Sequence, residues 1–118
     1  MFDIYKKYYI LSDYLDKAVS LVSMGINEVC WSYEDVKDIV DYLSKNNCVI
    51  LGGDILIKKN NEFIYTYDNW FVAKNPYEPC DKKYIERSRD ESIKYIDEYV
   101  MANGKEFYFV VVYKELEN

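Results

Sequence analysis

Apolar residues recur at helical spacing in two stretches of the first half of the chain, which predicts two amphipathic helices. The first helix would start after Ser12 as its cap and end near Gly25, because glycine adopts left-handed backbone readily. The second would start after Ser32 and end at Asn46-Asn47. The apolar stripes comprise Leu11, Leu15, Ala18, Val19 and Val22 in the first helix and Val36, Ile39, Val40 and Leu43 in the second.

The middle of the chain shows strand patterns separated by turn residues. Cys48–Leu51 and Ile55–Lys58 are short apolar runs, and the intervening Gly52-Gly53-Asp54 predicts a bulge, a bend or a tight turn. Asn60-Asn61 suits a two-residue hairpin loop, because Asn tolerates positive φ. The next run, Glu62–Tyr67, places Phe63, Tyr65 and Tyr67 on one face of a strand, and we expect the following Asp68-Asn69-Trp70 to interrupt it.

The last part of the chain predicts a loop, a third helix and a final strand. Both prolines lie in 74–80, which is therefore a loop. A helix within 81–103 would use Ser88 and Glu91 as a capping box, bury a stripe of apolar residues and end at Gly104. Glu106–Lys114 is apolar on both faces, which favours a central position in the sheet, and it could pair parallel with one neighbour.

These elements follow one another in the order α-α-β-β-β-α-β. Hairpin signals dominate the middle of the chain, so the fold class is α+β. We expect residues 1–118 to form a single domain, in which a mainly antiparallel sheet of three to five strands packs with about three helices. The pattern leaves the strand order open.

Composition then removes several classes of function. The 118 residues contain 15 Lys and Arg, 21 Asp and Glu and no His, so the formal net charge is −6. Without His, imidazole catalysis, His metal ligation and the usual pH switch are excluded. The acidic balance argues against binding to a nucleic-acid backbone. Tyrosine is abundant at 14 residues, which adds side chains of the type that dominates protein interfaces.

The chain carries no sign of export. Its longest uncharged run, Ala18–Asn27, is far shorter than the roughly 20 apolar residues that span a bilayer, and the first residues lack the layout of a signal peptide. Cys30, Cys48 and Cys80 are odd in number and have no CxxC spacing. We therefore expect a cytoplasmic protein with unpaired thiols and no zinc site.

Gly52-Gly53-Asp54 is the first candidate for chemistry, because glycine-rich loops bring backbone N–H groups close to phosphate. No helix is predicted directly after it, and no Lys-Ser/Thr pair follows. Asp54 would also repel phosphate. A bulge or strand connection is the favoured interpretation.

The second candidate is an acidic face on the second predicted helix. Glu34, Asp38 and Asp41 fall at i, i+4 and i+7, and Asp35 lies beside them. Clustered carboxylates can bind a divalent cation or act in acid/base chemistry, yet no calcium-loop motif is present. The two remaining interpretations are a solvated face and a face that attracts a basic partner.

The third candidate is the aromatic and acidic segment around Tyr67, Asp68, Asn69 and Trp70. Tyr and Trp carry many binding hot spots, so a surface recognition patch is one interpretation and a core position for the rings is the other. Trp31 immediately precedes the Ser32 cap and suits a hydrophobic staple, which assigns it to structure. Trp70 lies at the end of a strand, and we expect partner contact and core packing equally for its ring.

Catalysis has little support in the sequence. A Cys nucleophile needs a base and no His is present, and 21 acidic residues give no means of choosing a catalytic pair. We therefore predict no catalytic residue, no metal site and no cofactor.

Four short motifs carry a family resemblance. They are Trp31-Ser32-Tyr33-Glu34-Asp35 opening a helix, Ile50-Leu51-Gly52-Gly53-Asp54 in a strand, Tyr67-Asp68-Asn69-Trp70, and Tyr95-Ile96 in the late helix. Over roughly residues 10–113 the chain resembles the immunity protein 40 family of bacterial polymorphic toxin systems. The resemblance implies a non-catalytic protein that protects the producing cell by binding a toxin domain in the cytoplasm. The motifs identify no toxin-contacting residue, because that surface is specific to each pair.

Composition is compatible with this function. Many such toxins are nucleases with basic grooves, and an acidic, Tyr-rich domain can fill or cap a basic groove. An accessory domain that binds a small molecule or sugar through the region of Gly52–Asp54 and Trp70 is the alternative. The expected partner contacts are Glu34, Asp35, Asp38, Asp41, Asp54, Tyr67, Asp68, Asn69 and Trp70.

Overall fold

In a computed structural model, which describes residues 2–117, five strands form one antiparallel sheet in the order β1-β2-β5-β3-β4. The strands are β1 (Val19–Ser20), β2 (Val29–Ser32), β3 (Cys48–Lys59), β4 (Glu62–Phe71) and β5 (Phe107–Glu115). The α-helices are α1 (Ile4–Lys7), α2 (Tyr33–Lys45) and α3 (Lys82–Asn103), and 3-10 helices cover Tyr9–Lys17 and Val22–Met24. The predicted α+β class and the antiparallel sheet are confirmed.

Helix α2 follows the sequence prediction closely. Ser32 precedes it in extended conformation, and the acidic Glu34 and Asp35 lie in its first turn, where they complement the positive end of the helix dipole. Its apolar stripe is completely buried, and Asn46 ends the helix. The stripe comprises Val36, Ile39, Val40 and Leu43.

Helix α3 begins earlier than its predicted capping box. The carboxylate of Asp81 caps it by accepting a hydrogen bond from the Lys83 amide at 2.9 Å. Ser88 is instead fully buried inside the helix, where its Oγ donates to the Ile85 carbonyl and accepts from the Ile50 amide. The capping box at Ser88 is therefore wrong, because this hydroxyl bridges α3 to β3 rather than starting a helix.

The first predicted helix is also wrong. Tyr9–Lys17 is a 3-10 helix that ends before Val19, and Val19–Ser20 pairs with β2 as β1. This pairing turns the chain to the opposite face of the sheet, where Leu21 is completely buried. Gly25 does adopt the expected left-handed conformation, with φ of +79°, but it ends the short helix Val22–Met24. Strand pairing and burial thus override the helical periodicity of this segment.

The two apolar runs on either side of Gly52-Gly53 form one continuous strand, β3, with a shift of register against β5 between Ile50 and Gly52. Of the predicted bulge, bend or tight turn, the bulge is therefore correct. Strand β5 lies centrally between β2 and β3, as predicted, and is antiparallel to both, so no parallel pair forms. Asn60-Asn61 makes the β3–β4 turn with φ values of 51° and 65°, which confirms the hairpin.

The two faces of the sheet are covered differently. Helices α2 and α3 and the Tyr9–Lys17 helix bury the larger core on one face. The opposite face, which we call the open face, holds a small cluster of Leu21, Cys30, Leu56 and Val110 beneath the segment that contains β1. This segment, which is the cover of the open face, does not extend along the whole of β4, the strand at the edge of the sheet.

Candidate functional site

The predicted partner-binding residues lie in two separate places. The four carboxylates of α2 lie on the helix-covered side of the sheet. Asp54 and Asn69 are cross-strand neighbours in β3 and β4, and their side chains stand on the open face. The sheet thus brings Asp54 and Asn69 together, and it separates them from the acidic helix.

The acidic face of α2 is partly neutralised by its own surroundings. Asp41 pairs with Lys45 at 2.9 Å, and Asp35 accepts a hydrogen bond from the Ser32 hydroxyl at 3.1 Å. Glu34 and Asp38 are exposed and form no ion pair with any residue in 2–117. Two of the four carboxylates are therefore free to act on a partner at close range.

A polar seam joins the same helix to α3. The Tyr33 hydroxyl donates to Asp97 at 2.7 Å, and Lys37 Nζ lies 3.0 Å from the same carboxylate. The Tyr33 hydrogen bond and then that of Lys37 lower the pKa of Asp97, and in turn Asp97 raises the pKa of Lys37. The seam fixes α2 against α3 and places a cation beside the acidic face.

Trp70 belongs to the core, where it is 7% exposed. Its Nε1–H donates to the buried Ser92 hydroxyl at 3.0 Å, and its ring stacks on Tyr95 with centroids 5.5 Å apart. A Cβ on Gly53 would lie 2.6 Å from Cζ3 of the indole, so this glycine lets the ring lie against β3. The core interpretation of Trp70 is the one that the geometry supports. Trp31 is buried as well, in agreement with its assignment to structure.

Strand β4 is not interrupted at Asp68–Trp70 but contains a bulge. Asp54 pairs with Asn69 and Leu56 with Tyr65, so Thr66–Asp68 stands opposite Ile55 alone. The Thr66 hydroxyl donates to the Ile55 carbonyl at 2.8 Å and accepts from the Asp68 amide at 3.1 Å. These bonds replace the lost ladder contacts and hold the bulge in place.

The bulge presents Tyr67 to solvent. This side chain is 90% exposed, and its φ of +68° is uncommon for a bulky residue. Asp68 turns the other way and accepts a hydrogen bond from the Tyr99 hydroxyl of α3 at 2.8 Å. Burial, followed by this hydrogen bond, raises the pKa of Tyr99. Of the predicted aromatic segment, Tyr67 and Asn69 are therefore the side chains most available to a partner.

An apolar groove of about 340 Å³ lies on the open face next to these residues. We call it the open-face groove and define it by Gly52, Asp54, Asn69, Phe71 and Val112. Phe71 is 78% exposed and Val112 is 40% exposed. The sequence prediction did not include Phe71 and Val112, because the exposure of Val112 depends on where the segment that contains β1 stops covering β5 rather than on any local pattern.

The remaining chemistry of the described residues is sparse. Burial raises the pKa of Cys30 to about 12 and that of Cys48 to about 11, which leaves both thiols protonated, while Cys80 is exposed. Within residues 2–117, no group of three Cys, Asp or Glu side chains is arranged to hold a metal ion. A second cavity of about 560 Å³ at the start of α2 mixes Glu34 and Glu106 with Lys58 and Lys105.

None of the helices described here has the length and apolar character needed to cross a membrane. No curated protein matches the chain. The sequence profile of the family described as Immunity protein 40 matches residues 20–113, a stretch that runs through β2, α2, β3, β4, α3 and most of β5. Since this match covers most of the chain, the protein belongs to the Immunity protein 40 family.

Proposed function

We propose that the protein is a non-catalytic immunity protein of a polymorphic toxin system, which acts in the cytoplasm by binding a cognate toxin domain. The observation that carries this proposal is the family match over residues 20–113. An inhibitor of this kind needs a rigid scaffold with exposed contact groups rather than reactive ones. The burial of two of the three thiols, the absence of His and the exposed Tyr67 and Phe71 on the sheet are consistent with that requirement.

The net charge of −6 supports a partner with a basic groove. Charge of opposite sign steers two proteins into encounter and raises the association rate, and burial of aromatic side chains then slows dissociation. The predicted contacts of α2, β3 and β4 supply both kinds of group, although Asp41 and Asp35 are already engaged within the chain. We assign the steering role to α2, with Glu34 and Asp38 as its main contributors.

Replacement of the α2 carboxylates tests the steering role. The variant E34Q/D35N/D38N/D41N should associate several-fold more slowly with the toxin and with a weaker dependence on salt. The free energy of unfolding should change by less than about 0.5 kcal/mol per site at Glu34 and Asp38, because these two side chains are exposed and, within residues 2–117, unpaired. E34Q/D38N alone should account for most of the effect on the rate.

The matched control is D13N/D16N, which removes two exposed carboxylates from the N-terminal 3-10 helix. Its association rate should stay near that of the wild type. If the quadruple variant associates as fast as the control, the α2 face is merely solvated.

Co-expression tests the function itself. The toxin is expected to be the C-terminal domain of a large secreted protein encoded directly upstream of this gene. Cells that make the toxin domain should survive when this protein is co-expressed, and the two should copurify. If the chain neither binds nor rescues, the proposal is wrong.

The sugar-binding alternative loses its main support in this geometry. A stacking platform needs an exposed ring, and the Trp70 indole is covered by Tyr95 and hydrogen-bonded to Ser92. The groove beside Gly52–Asp54 is open to solvent and has few polar side chains, namely Asp54 and Asn69.

A further inference from the structure

We propose that the open-face groove receives an arginine side chain of the toxin, whose aliphatic stem lies over Gly52 and whose guanidinium pairs with Asp54. This inference rests on the proposed function and names the contact that would hold the complex together. It is carried by the shape of the groove, by its uncovered apolar walls and by a carboxylate without a partner.

The groove has the shape of a slot for one side chain. Gly52 of β3 pairs with Phe71 on one side and with Val112 on the other. Because neighbouring strands lie about 4.8 Å apart, the two side chains stand roughly 10 Å apart with no side chain between them. A Cβ on Gly52 would overlap the carbonyl oxygen of Trp70 and lie 3.1 Å from Cα of Phe71, and φ here is +145°. The floor of the slot is thus fixed as glycine.

The walls of the slot are apolar surface that the fold leaves uncovered. Val110 and Leu56 on the same face are buried beneath the segment that contains β1. Val112 lies two residues beyond Val110, where this cover has ended, and Phe71 stands across Gly52 from it. An exposed apolar patch rimmed by polar groups is typical of a protein interface.

Asp54 lies at one end of the slot and supplies the charge. It is partly buried, and its carboxylate makes no hydrogen bond or ion pair with any residue that the structure describes. Burial, and then the charges of Glu28 and Asp54, raise the pKa of the Tyr65 phenol, so the Asp54 carboxylate acts on this face as a negative charge. A partly desolvated carboxylate is stabilised most by a charged donor, which a partner must bring.

The shape and polar groups of the slot favour arginine among basic side chains. Asp54 lies two residues along β3 from Gly52, which is about 6.6 Å and close to the length of an extended arginine side chain. The stem would fill the apolar slot, the planar guanidinium can pack on the Phe71 ring, and its several N–H donors can reach both Asp54 and the amide oxygen of Asn69. Lysine offers a single point charge and no planar face.

A second copy of this chain is a poorer occupant. In a two-fold symmetric dimer the same patch lies on both sides of the interface, which would bring two Asp54 carboxylates into one contact surface. Two partly buried carboxylates repel each other. The charge of the slot therefore favours a basic partner over self-association.

The test measures binding of the toxin domain from the upstream gene to matched variants. Phe71→Ala should weaken binding about 30-fold, as expected for a central aromatic contact, and Asp54→Asn should weaken it at least tenfold through faster dissociation. The controls are Met101→Ala, which removes an exposed apolar side chain of α3, and Asp16→Asn. Both controls should bind within about twofold of wild type.

An arginine scan of the toxin then identifies the occupant. One toxin Arg→Ala variant should weaken wild-type binding strongly and weaken binding to Asp54→Asn much less, because the ion pair is already broken in that variant and only the packing of the stem is lost. Hydrogen exchange should show that residues 52–54 and 69–71 become protected in the complex. This readout uses the unmodified protein and does not depend on how any variant folds.

The outcomes separate this inference from the proposed function. If the wild type binds and both Phe71→Ala and Asp54→Asn bind equally well, the slot is not the contact and the immunity function stands. If hydrogen exchange shows protection on α2 alone, the inference is likewise wrong and the immunity function stands. A wild-type dimer that Phe71→Ala dissociates would assign the slot to a second copy and overturn it. Failure of the wild type to bind overturns the proposed function and this inference together.

Discussion

Replacement of Gly53 by Ala should strongly destabilise the protein. The added Cβ would overlap the carbonyl oxygen of Val110 and lie 2.6 Å from Cζ3 of Trp70, whereas carbon atoms normally meet at about 3.5–4.0 Å. Neither neighbour can move freely. The Val110 carbonyl belongs to the central strand β5, and the indole is held by its hydrogen bond to Ser92 and its stacking on Tyr95.

The loss of stability in Gly53→Ala can be estimated from the groups that the added Cβ would displace. Overpacking of a core usually costs about 1–3 kcal/mol. If the indole is displaced, the buried Ser92 hydroxyl loses its partner, which adds about 1–3 kcal/mol. We therefore expect the free energy of unfolding to fall by about 3–5 kcal/mol, a large part of the 5–15 kcal/mol that is typical of a domain. The melting temperature should fall by about 10 °C or more.

Thermal and urea unfolding, followed by far-UV circular dichroism and tryptophan fluorescence, measure this loss. The matched control is Gly25→Ala, because Gly25 has φ of +79° and no atom within 4 Å of an added Cβ. The control carries backbone strain alone and should lose about 1–2 kcal/mol. If Gly53→Ala is no less stable than Gly25→Ala, the indole does not lie against this glycine.

Two further predictions concern the core and the loop before α3. Trp70→Phe and Ser92→Ala should each lower the free energy of unfolding by about 1–2 kcal/mol, and the double variant should lower it by less than the sum of the two. If urea unfolding shows additive losses, the hydrogen bond between the two side chains is contradicted. The hydrogen bond from Arg87 lowers the pKa of Glu78 to about 2, below its unfolded value of 4.5. The resulting stabilisation is complete above pH 4.5 and is lost as the pH falls toward 2. Glu78→Gln should therefore flatten the dependence of the free energy of unfolding on pH in this range. Parallel stability curves of wild type and variant against pH would refute the stabilising role of Glu78.

The local elements were determined by the sequence itself. The start and end of α2, the Asn60-Asn61 turn and the end of α3 at Gly104 are all correct predictions. Each depends on a few neighbouring residues: acidic residues in the first turn of α2, positive φ at the turn and glycine after α3, although the Ser32 side chain makes no capping hydrogen bond to the helix backbone. The central position of β5 was also predictable, because a strand that is apolar on both faces is typical of the interior of a sheet.

Tertiary structure decided the elements whose residues have distant partners. Ser88 has the chemistry of a cap, yet its hydroxyl bonds Ile50 across the interface between α3 and β3. Val19 has helical spacing with its neighbours, yet β1 pairs with β2. In both cases a long-range contact outweighs a local preference, and a pattern within one segment contains no information about that contact.

The candidate site belongs to the same category. The sequence identified Asp54, Asn69 and Trp70 as notable, and only the register of β3 against β4 placed Asp54 beside Asn69 on the open face and the Trp70 ring in the core. A shift of one residue would exchange those faces, because side chains alternate along a strand. The exposure of Phe71 and Val112 likewise depends on where the cover over the open face stops, which is a property of the assembled sheet.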